Sequence, residues 1–222
     1  MVETVKHHDF VEVEYTGKLI DGMVFDTTNE SVSKINNFHN PQMPYKPAVV
    51  CVGENQILRG LDEALEGKEI GKEYTVTISA EKAFGKSDIQ KLRIVPMSNF
   101  KEHKVQPKLG LQIDVDGEIG AISRVSGGRV IVNFNHPLAG KKVVYTFKIN
   151  KKVTDAKEQV VSFLNMVLKI KEEAIKIEVK NERAVVGLPG NFPPPFTEML
   201  SKKLLEITSL KELEFETPSQ SQ

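Results

Sequence analysis

The sequence predicts an α+β chain. An antiparallel sheet wraps one short helix, an all-β segment is inserted into that sheet, and a small α+β region follows. Three observations carry this reading. "FVEVEYTG" near the start and "KKVVYTFKIN" at 141–150 alternate apolar and polar residues with period two, as half-buried strands do. "GENQILRGLDEAL" between them holds a short run of helical periodicity. After residue 153, two longer amphipathic helix patterns are interleaved with three short strand patterns.

In the first strand Val11, Val13 and Tyr15 face one way and Glu12 and Glu14 the other. "IDGMVFDT" carries an Asp21-Gly22 turn that returns the chain as a hairpin. The polar stretch "TTNESVSKINNFHNPQMPYK" reads as a loop, and loops of that length are usually functional or mobile. "PAVVCVG" is a further strand. Ile57, Leu58, Leu61, Ala64 and Leu65 then share one helix face, although the interior Gly60 costs that helix about 1 kcal/mol against Ala. "KEYTVTISA" alternates again, with Tyr74, Val76 and Ile78 on one side.

Between 86 and 136 the chain is rich in turns. "VDGEIG" and "VSGGRV" read as hairpin connections between strands at 111–115, 119–125 and 129–134. Val143, Tyr145, Phe147 and Ile149 then line one face of a strand that could rejoin the first sheet, making the middle region an insertion. Further on, Thr154 reads as the N-cap of a helix over 154–168 with Val160, Phe163, Leu164, Val167 and Leu168 as its stripe. "AIKIEVKN" and "RAVVGLPG" form a strand pair. "PPPFTEMLSKKLLEITS" holds a second helix, with Met199, Leu200, Leu204 and Ile207 apolar, and "LKELEFET" is the last strand. The tail "PSQSQ" reads as disordered.

Composition narrows the function classes. The 222 residues are 40% hydrophobic and 27% charged, with Lys+Arg 30 balancing Asp+Glu 30. Zero net charge argues against broad electrostatic binding to nucleic acid or to an anionic membrane. No apolar run reaches the length of a membrane span, and "MVETVKHHDF" has no apolar signal core, so the expected location is cytoplasmic. The single Cys51 excludes an internal disulfide framework and reads as a small core residue rather than a reactive thiol. His7, His8, His39, His103 and His136 are scattered without ligand spacing, so neither a metal nor another cofactor is expected. "GGRVIV" lacks the Lys-Ser/Thr ending of a phosphate loop. "FPPPF" at 192–196 reads either as a polyproline ligand or, preferably, as the lead-in to the helix after it.

Five segments in order resemble the FKBP-type peptidyl-prolyl cis-trans isomerases: "VEYTG" at 13–17, "DGMVFD" at 21–26, "VGENQILRGLDEAL" at 52–65, "GKEYTVTI" at 71–78 and "AFG" at 83–85. The middle region, closed by "NHPLAG", resembles the insert-in-flap chaperone domain of SlyD-type members. The long 27–45 loop and the C-terminal extension resemble the long archaeal members. The resemblance implies an isomerase domain over 1–85 and 137–152, an inserted chaperone domain over 86–136, and an α+β C-terminal domain over 153–222. It implies a proline pocket floored by the start of the short helix, where Gly60 lets helix and sheet approach closely.

By the same resemblance, Tyr15, Phe25, Asp26, Leu58 and Phe84 are the catalytic residues. Ile57, Leu61, Leu138 and Tyr145 bind substrate beside them. Asp26 would meet the substrate carbonyl and orient Tyr15, and the Leu58 N–H would hold a second carbonyl. Read without the family pattern, these residues are core and sheet packing and a turn cap in preference to a site. Three positions depart from the family: Leu61 where most members carry Trp, Phe84 where Tyr is usual, and Ala48 in place of another aromatic. In the insert, Met97 and Phe100 are expected to be exposed for unfolded chains, beside Leu92, Ile94 and Val95. The partners so implied are unfolded, proline-containing polypeptides. The alternative is a holdase with little isomerase activity. The C-terminal region is expected to pair two chains into a homodimer, because one three-stranded sheet cannot readily cover two amphipathic helices and both of its own edges; the alternative is that it docks on the isomerase domain and the chain stays monomeric.

Overall fold

The computed structural model describes residues 3–216, so the "PSQSQ" tail lies outside the described residues. The chain opens with β1 (Phe10–Leu19), β2 (Val24–Thr27), α1 (Glu30–Ile35), β3 (Ala48–Cys51), α2 (Arg59–Leu65) and β4 (Glu73–Ile78). Next come β5 (Leu92–Pro96), α3 (Met97–Glu102), β6 (Gln112–Val115), β7 (Glu118–Ser126) and β8 (Arg129–Asn133). The last part holds β9 (Val143–Lys152), α4 (Ala156–Leu168), β10 (Lys176–Lys180), β11 (Arg183–Gly187), α5 (Pro194–Ile207) and β12 (Glu212–Glu216). Two compact units result, one from the residues before Ser79 and after Lys142, the other from Ser79–Lys142.

In the first unit β2, β1, β9 and β4 lie side by side, and β3 pairs with β1. The neighbours of β1 are all antiparallel. β9 therefore joins a sheet begun more than a hundred residues earlier. Its alternation decides which side packs: Val143, Tyr145, Phe147 and Ile149 are buried. Leu61 and Leu65 of α2 are buried with Asp62 and Gly60, so the helix presents one full face inward. The polar stretch after β2 is not all loop. Asn29 caps α1 by accepting from Ser31 N and Val32 N, a local bond that the run of Asn and Ser residues permits.

The C-terminal elements belong to the same unit. β11 pairs antiparallel with β10 and parallel with β12. The N-cap of α4 is Asp155, one residue beyond the Thr154 expected, and its carboxylate accepts from Glu158 N at 2.8 Å. Pro194 opens α5, where its missing N–H costs nothing. Val160, Phe163 and Leu164 of α4 and Leu200, Leu204 and Ile207 of α5 share one core with Phe10 and Cys51 of the first sheet. Both helices are thus covered by more than their own three-stranded sheet, and the expected lack of cover does not occur. The stripes are narrower than expected, since Val167 is 44% exposed and Met199 56%. Cys51 is fully buried in this core, and burial pushes its thiol up to about 12. Among the described residues no helix is long and apolar enough to cross a membrane.

The second unit is a four-stranded antiparallel sheet in the order β5-β8-β7-β6. Both hairpins turn on pairs with positive φ, Asp116-Gly117 and Gly127-Gly128. α3 stands beside the strands, an element the strand reading did not include. Phe100 of α3 packs into the unit's small core with Ile122, Val130 and Val132 and is only 6% exposed, which corrects its expected exposure. The reason is helical phase: Phe100 is the buried residue of α3, while Met97 is half-buried against the same core. Ile94, Leu109 and Ile119 are the large apolar side chains this unit leaves most open to solvent after Ile89.

Candidate functional site

A cavity of about 540 Å³ opens in the first unit. Tyr15, Asp26, Ile57, Leu58, Leu61 and Tyr145 line one end of it. β1, β2, β9 and α2 with the loop leading into it supply these six side chains, and strand register brings the three from the sheet together. Gly17 of β1 stands opposite Asp26 of β2 on one side and opposite Tyr145 of β9 on the other. Two strand spacings separate those partners, roughly 9–10 Å. The Tyr145 ring spans the gap over Gly17, and its hydroxyl donates to Asp26 Oδ2 at 2.8 Å. A Cβ on Gly17 would stand 2.6 Å from Tyr145 Cζ and 2.9 Å from its oxygen, so only glycine admits the ring.

Two more rings hold Tyr145. Phe25 meets it edge-on at 5.9 Å between centroids, and Tyr15 is tilted against it at 5.8 Å. Tyr15 is fixed through its backbone: its N–H donates to Thr28 Oγ1, and its carbonyl accepts from Thr28 N. Asp26 bonds Tyr145, whereas the sequence reading paired it with Tyr15. Burial pushes the Asp26 carboxyl above the usual carboxylate range, and the hydrogen bonds from Tyr145 and Thr27 N–H offset part of that rise. Burial raises both tyrosine hydroxyls as well, and the Asp26 charge raises each further. Neither ionises near neutral pH.

The other wall is the entry to α2. Leu58 is its N-cap residue, at φ −56° and ψ 125°, with no side-chain cap; its carbonyl accepts from Leu61 N and Asp62 N. Its own N–H makes no hydrogen bond among the described residues. The chain before it is pinned from within. Buried Asp62 accepts from Gly53 N at 3.1 Å and from Asn55 N at 2.9 Å, and Gln56 Oε1 accepts from Cys51 N at 2.7 Å. Desolvation raises the Asp62 carboxyl, and the two backbone N–H groups pull it back.

Of the residues expected from the sequence, the structure gathers Tyr15, Asp26, Ile57, Leu58, Leu61 and Tyr145 on one cavity, with Phe25 against Tyr145. Phe84, Met97, Phe100 and Leu138 belong to the second unit, where Phe84 stacks on His136 at 4.7 Å and Leu138 N donates to His136 Nδ1. Sequence reasoning passed over Gly17, Gln56 and Asp62. A glycine interrupting an otherwise alternating strand was the available signal for Gly17. It also passed over α4, whose outer face lines the far end of the cavity.

Residues 2–105 match the family model described as FKBP-type peptidyl-prolyl cis-trans isomerase. Residues 93–138 match the model described as FKBP26, IF domain. A short-type peptidyl-prolyl cis-trans isomerase of Methanocaldococcus jannaschii is 36% identical over 149 residues, covering 67% of this chain and 94% of the relative. An FKBP-type 16 kDa peptidyl-prolyl cis-trans isomerase of Escherichia coli is 30% identical over 154 residues, covering 67% and 94%. The FKBP-type isomerase SlyD of Haemophilus influenzae is 30% identical over 108 residues, covering 47% of this chain and 56% of its own.

Asp26→Asn keeps an acceptor for Tyr145 and removes the titrating group. A carboxyl whose folded pKa is raised binds its proton more tightly folded than unfolded. The wild type therefore loses stability as pH rises from the unfolded value of about 3.9 through the raised one. Urea unfolding is expected to find the variant more stable than the wild type at pH 7, with the difference vanishing below the ordinary carboxylate pKa. A difference independent of pH would show that Asp26 carries no burial penalty.

Proposed function

The chain belongs to the FKBP-type peptidyl-prolyl cis-trans isomerases and is an isomerase of that type, and we propose that its catalysis runs through the Tyr15–Asp26–Leu58–Tyr145 end of the cavity. The observation that carries the assignment is the Tyr145–Asp26 bond over Gly17, set beside a Leu58 N–H that has no partner among the described residues.

The reaction breaks no bond. Rotation about an Xaa-Pro bond faces a barrier of roughly 18–20 kcal/mol and takes tens of seconds or more unaided. The twisted transition state loses amide resonance and is less dipolar than the planar ground state. Walls of Ile57, Leu61 and aromatic rings therefore favour it relative to water. Each ~1.4 kcal/mol of that preference is worth a factor of ten in rate. Leu58 N–H holds a substrate carbonyl, and Asp26, kept in place by Tyr145, faces the rotating carbonyl. Leu61 leaves the floor without the ring most members carry. No step calls for a nucleophile, a metal or a cofactor.

The second unit is the client-holding part of the proposal, and Phe84 and Leu138 lie in it. Ile94 and Ile119 are 62% and 68% exposed on a sheet whose outer strands are β5 and β6. Such edges and apolar side chains suit unfolded segments. The proposed setting is the cytoplasm and the proposed clients are proline-containing chains in the course of folding. β10 and β12 are the outer strands of the C-terminal sheet, through which a second copy would pair.

Asp26→Leu and Gly17→Ala are each expected to lower turnover of an Xaa-Pro tetrapeptide at least severalfold in a protease-coupled assay while the fold survives. Normal rates in both folded variants would remove the assignment. Replacing 87–135 by a short loop is expected to spare the tetrapeptide and to slow refolding of a proline-limited protein, since holding a client raises its effective concentration. Equal losses on both substrates would refute a separate client-holding role for the insert. Light scattering at micromolar concentration is expected to give twice the chain mass; a single-chain mass excludes the pairing.

A further inference from the structure

The cavity does not stop at the proline end. Glu158, Val161, Ser162, Asn165, Met166 and Lys169 of α4 and its cap line its continuation. Their positions follow i, i+3, i+4, i+7, i+8 and i+11, one unbroken helix face. α4 thus has two stripes: Val160, Phe163 and Leu164 enter the core, and the neighbouring stripe lines the cavity. The facing wall is the chain from Met43 to Val49. Lys46 bonds Glu172 at 2.7 Å, tying that wall to the segment after α4. The stretch from Glu158 to Lys169 extends about 16 Å along the helix axis. An extended chain of about five residues spans the same distance.

Resting on the isomerase reading above, we propose that α4 is the far wall of the substrate channel and seats an extended client segment beside the proline. The chemistry fits a peptide rather than a compact ligand. Val161 and Met166 offer apolar contact, and Met adapts to varied side chains. Asn165 Nδ2 is already donated to Ile170 O at 2.7 Å, which leaves Oδ1 to accept from a peptide N–H. A tetrapeptide fills the proline end alone, whereas a longer chain reaches α4. Residues flanking the proline are thus read by an element outside the isomerase sheet.

The test uses the full chain and two substrates with one Xaa-Pro core, a tetrapeptide and a version extended by apolar residues on both sides. KM for the long peptide is expected to be about tenfold lower in the wild type, as burial of one or two apolar side chains gives, with kcat unchanged. Met166→Glu brings the ratio of the two KM values close to one. Val167→Glu, on the same helix but absent from the cavity wall, keeps the wild-type ratio. Met166→Gln, uncharged and of similar length, serves if the Glu variant melts early, and is expected to lose part of the ratio. Equal KM values in the wild type, or a ratio unchanged by the Met166 variants, overturns the proposal. If the wild type turns over neither peptide, the isomerase reading fails. Fluorescence anisotropy of the labelled long peptide then decides the groove: weaker binding to Met166→Glu than to Val167→Glu supports it, and equal binding refutes it.

Discussion

The site hangs on one missing Cβ. Tyr145 and Asp26 sit on strands that do not touch each other, with β1 between them. Their hydrogen bond exists because Gly17 leaves the space above the middle strand open to a ring. An interior glycine weakens a strand, having no side chain to pack. Here the ring packs where the side chain would have been. That places a phenol, a raised carboxyl and the Phe25 and Tyr15 rings within one small volume. The partial desolvation of Asp26 is the cost, and the Tyr145 hydroxyl offsets part of it.

The opposite wall is built by a different device. α2 starts without a side-chain cap, and the chain leading into it is held by carboxylate and amide groups reaching back from Asp62 and Gln56. Buried Asp62 would be a liability alone, but two backbone N–H groups repay its desolvation in part. The arrangement fixes the backbone at Leu58, whose N–H has no hydrogen-bond partner among the described residues. One wall is thus set by side chains over a glycine and the other by backbone bonded to buried polar groups.

The C-terminal region takes part in this structure and is no mere appendage. Phe10 and Cys51 of the sheet lie in the same core as α4, α5 and the strands that follow. That shared core orients α4, whose polar stripe then faces the cavity. A helix with two stripes of different character is the outcome expected when one face meets a core and the next meets solvent or a ligand.

Alternation by itself identified β1, β4 and β9, because a strand with one buried face must repeat with period two. It gave the buried face of β9 residue by residue, from Val143 to Ile149. The turn glycines marked the hairpins of the second unit, because positive φ admits few other residues. The ordered motifs pointed to Tyr15, Asp26, Ile57, Leu58 and Leu61, which share a cavity, and also to Phe84, which lies in the second unit. Tertiary structure decided what no local pattern encodes. That Asp26 bonds Tyr145 instead of Tyr15 depends on the register of β1, β2 and β9, set by pairing over distances of more than a hundred residues. Phe100 turned inward because α3 forms beside its own sheet, which outweighs a plain reading of an apolar run. Val167 of α4 and Met199 of α5 lie outside the core because the shared core covers only part of each helix's apolar face. The closeness of α4 to the cavity could not be read from either segment, since it arises only where β3 and the C-terminal core meet.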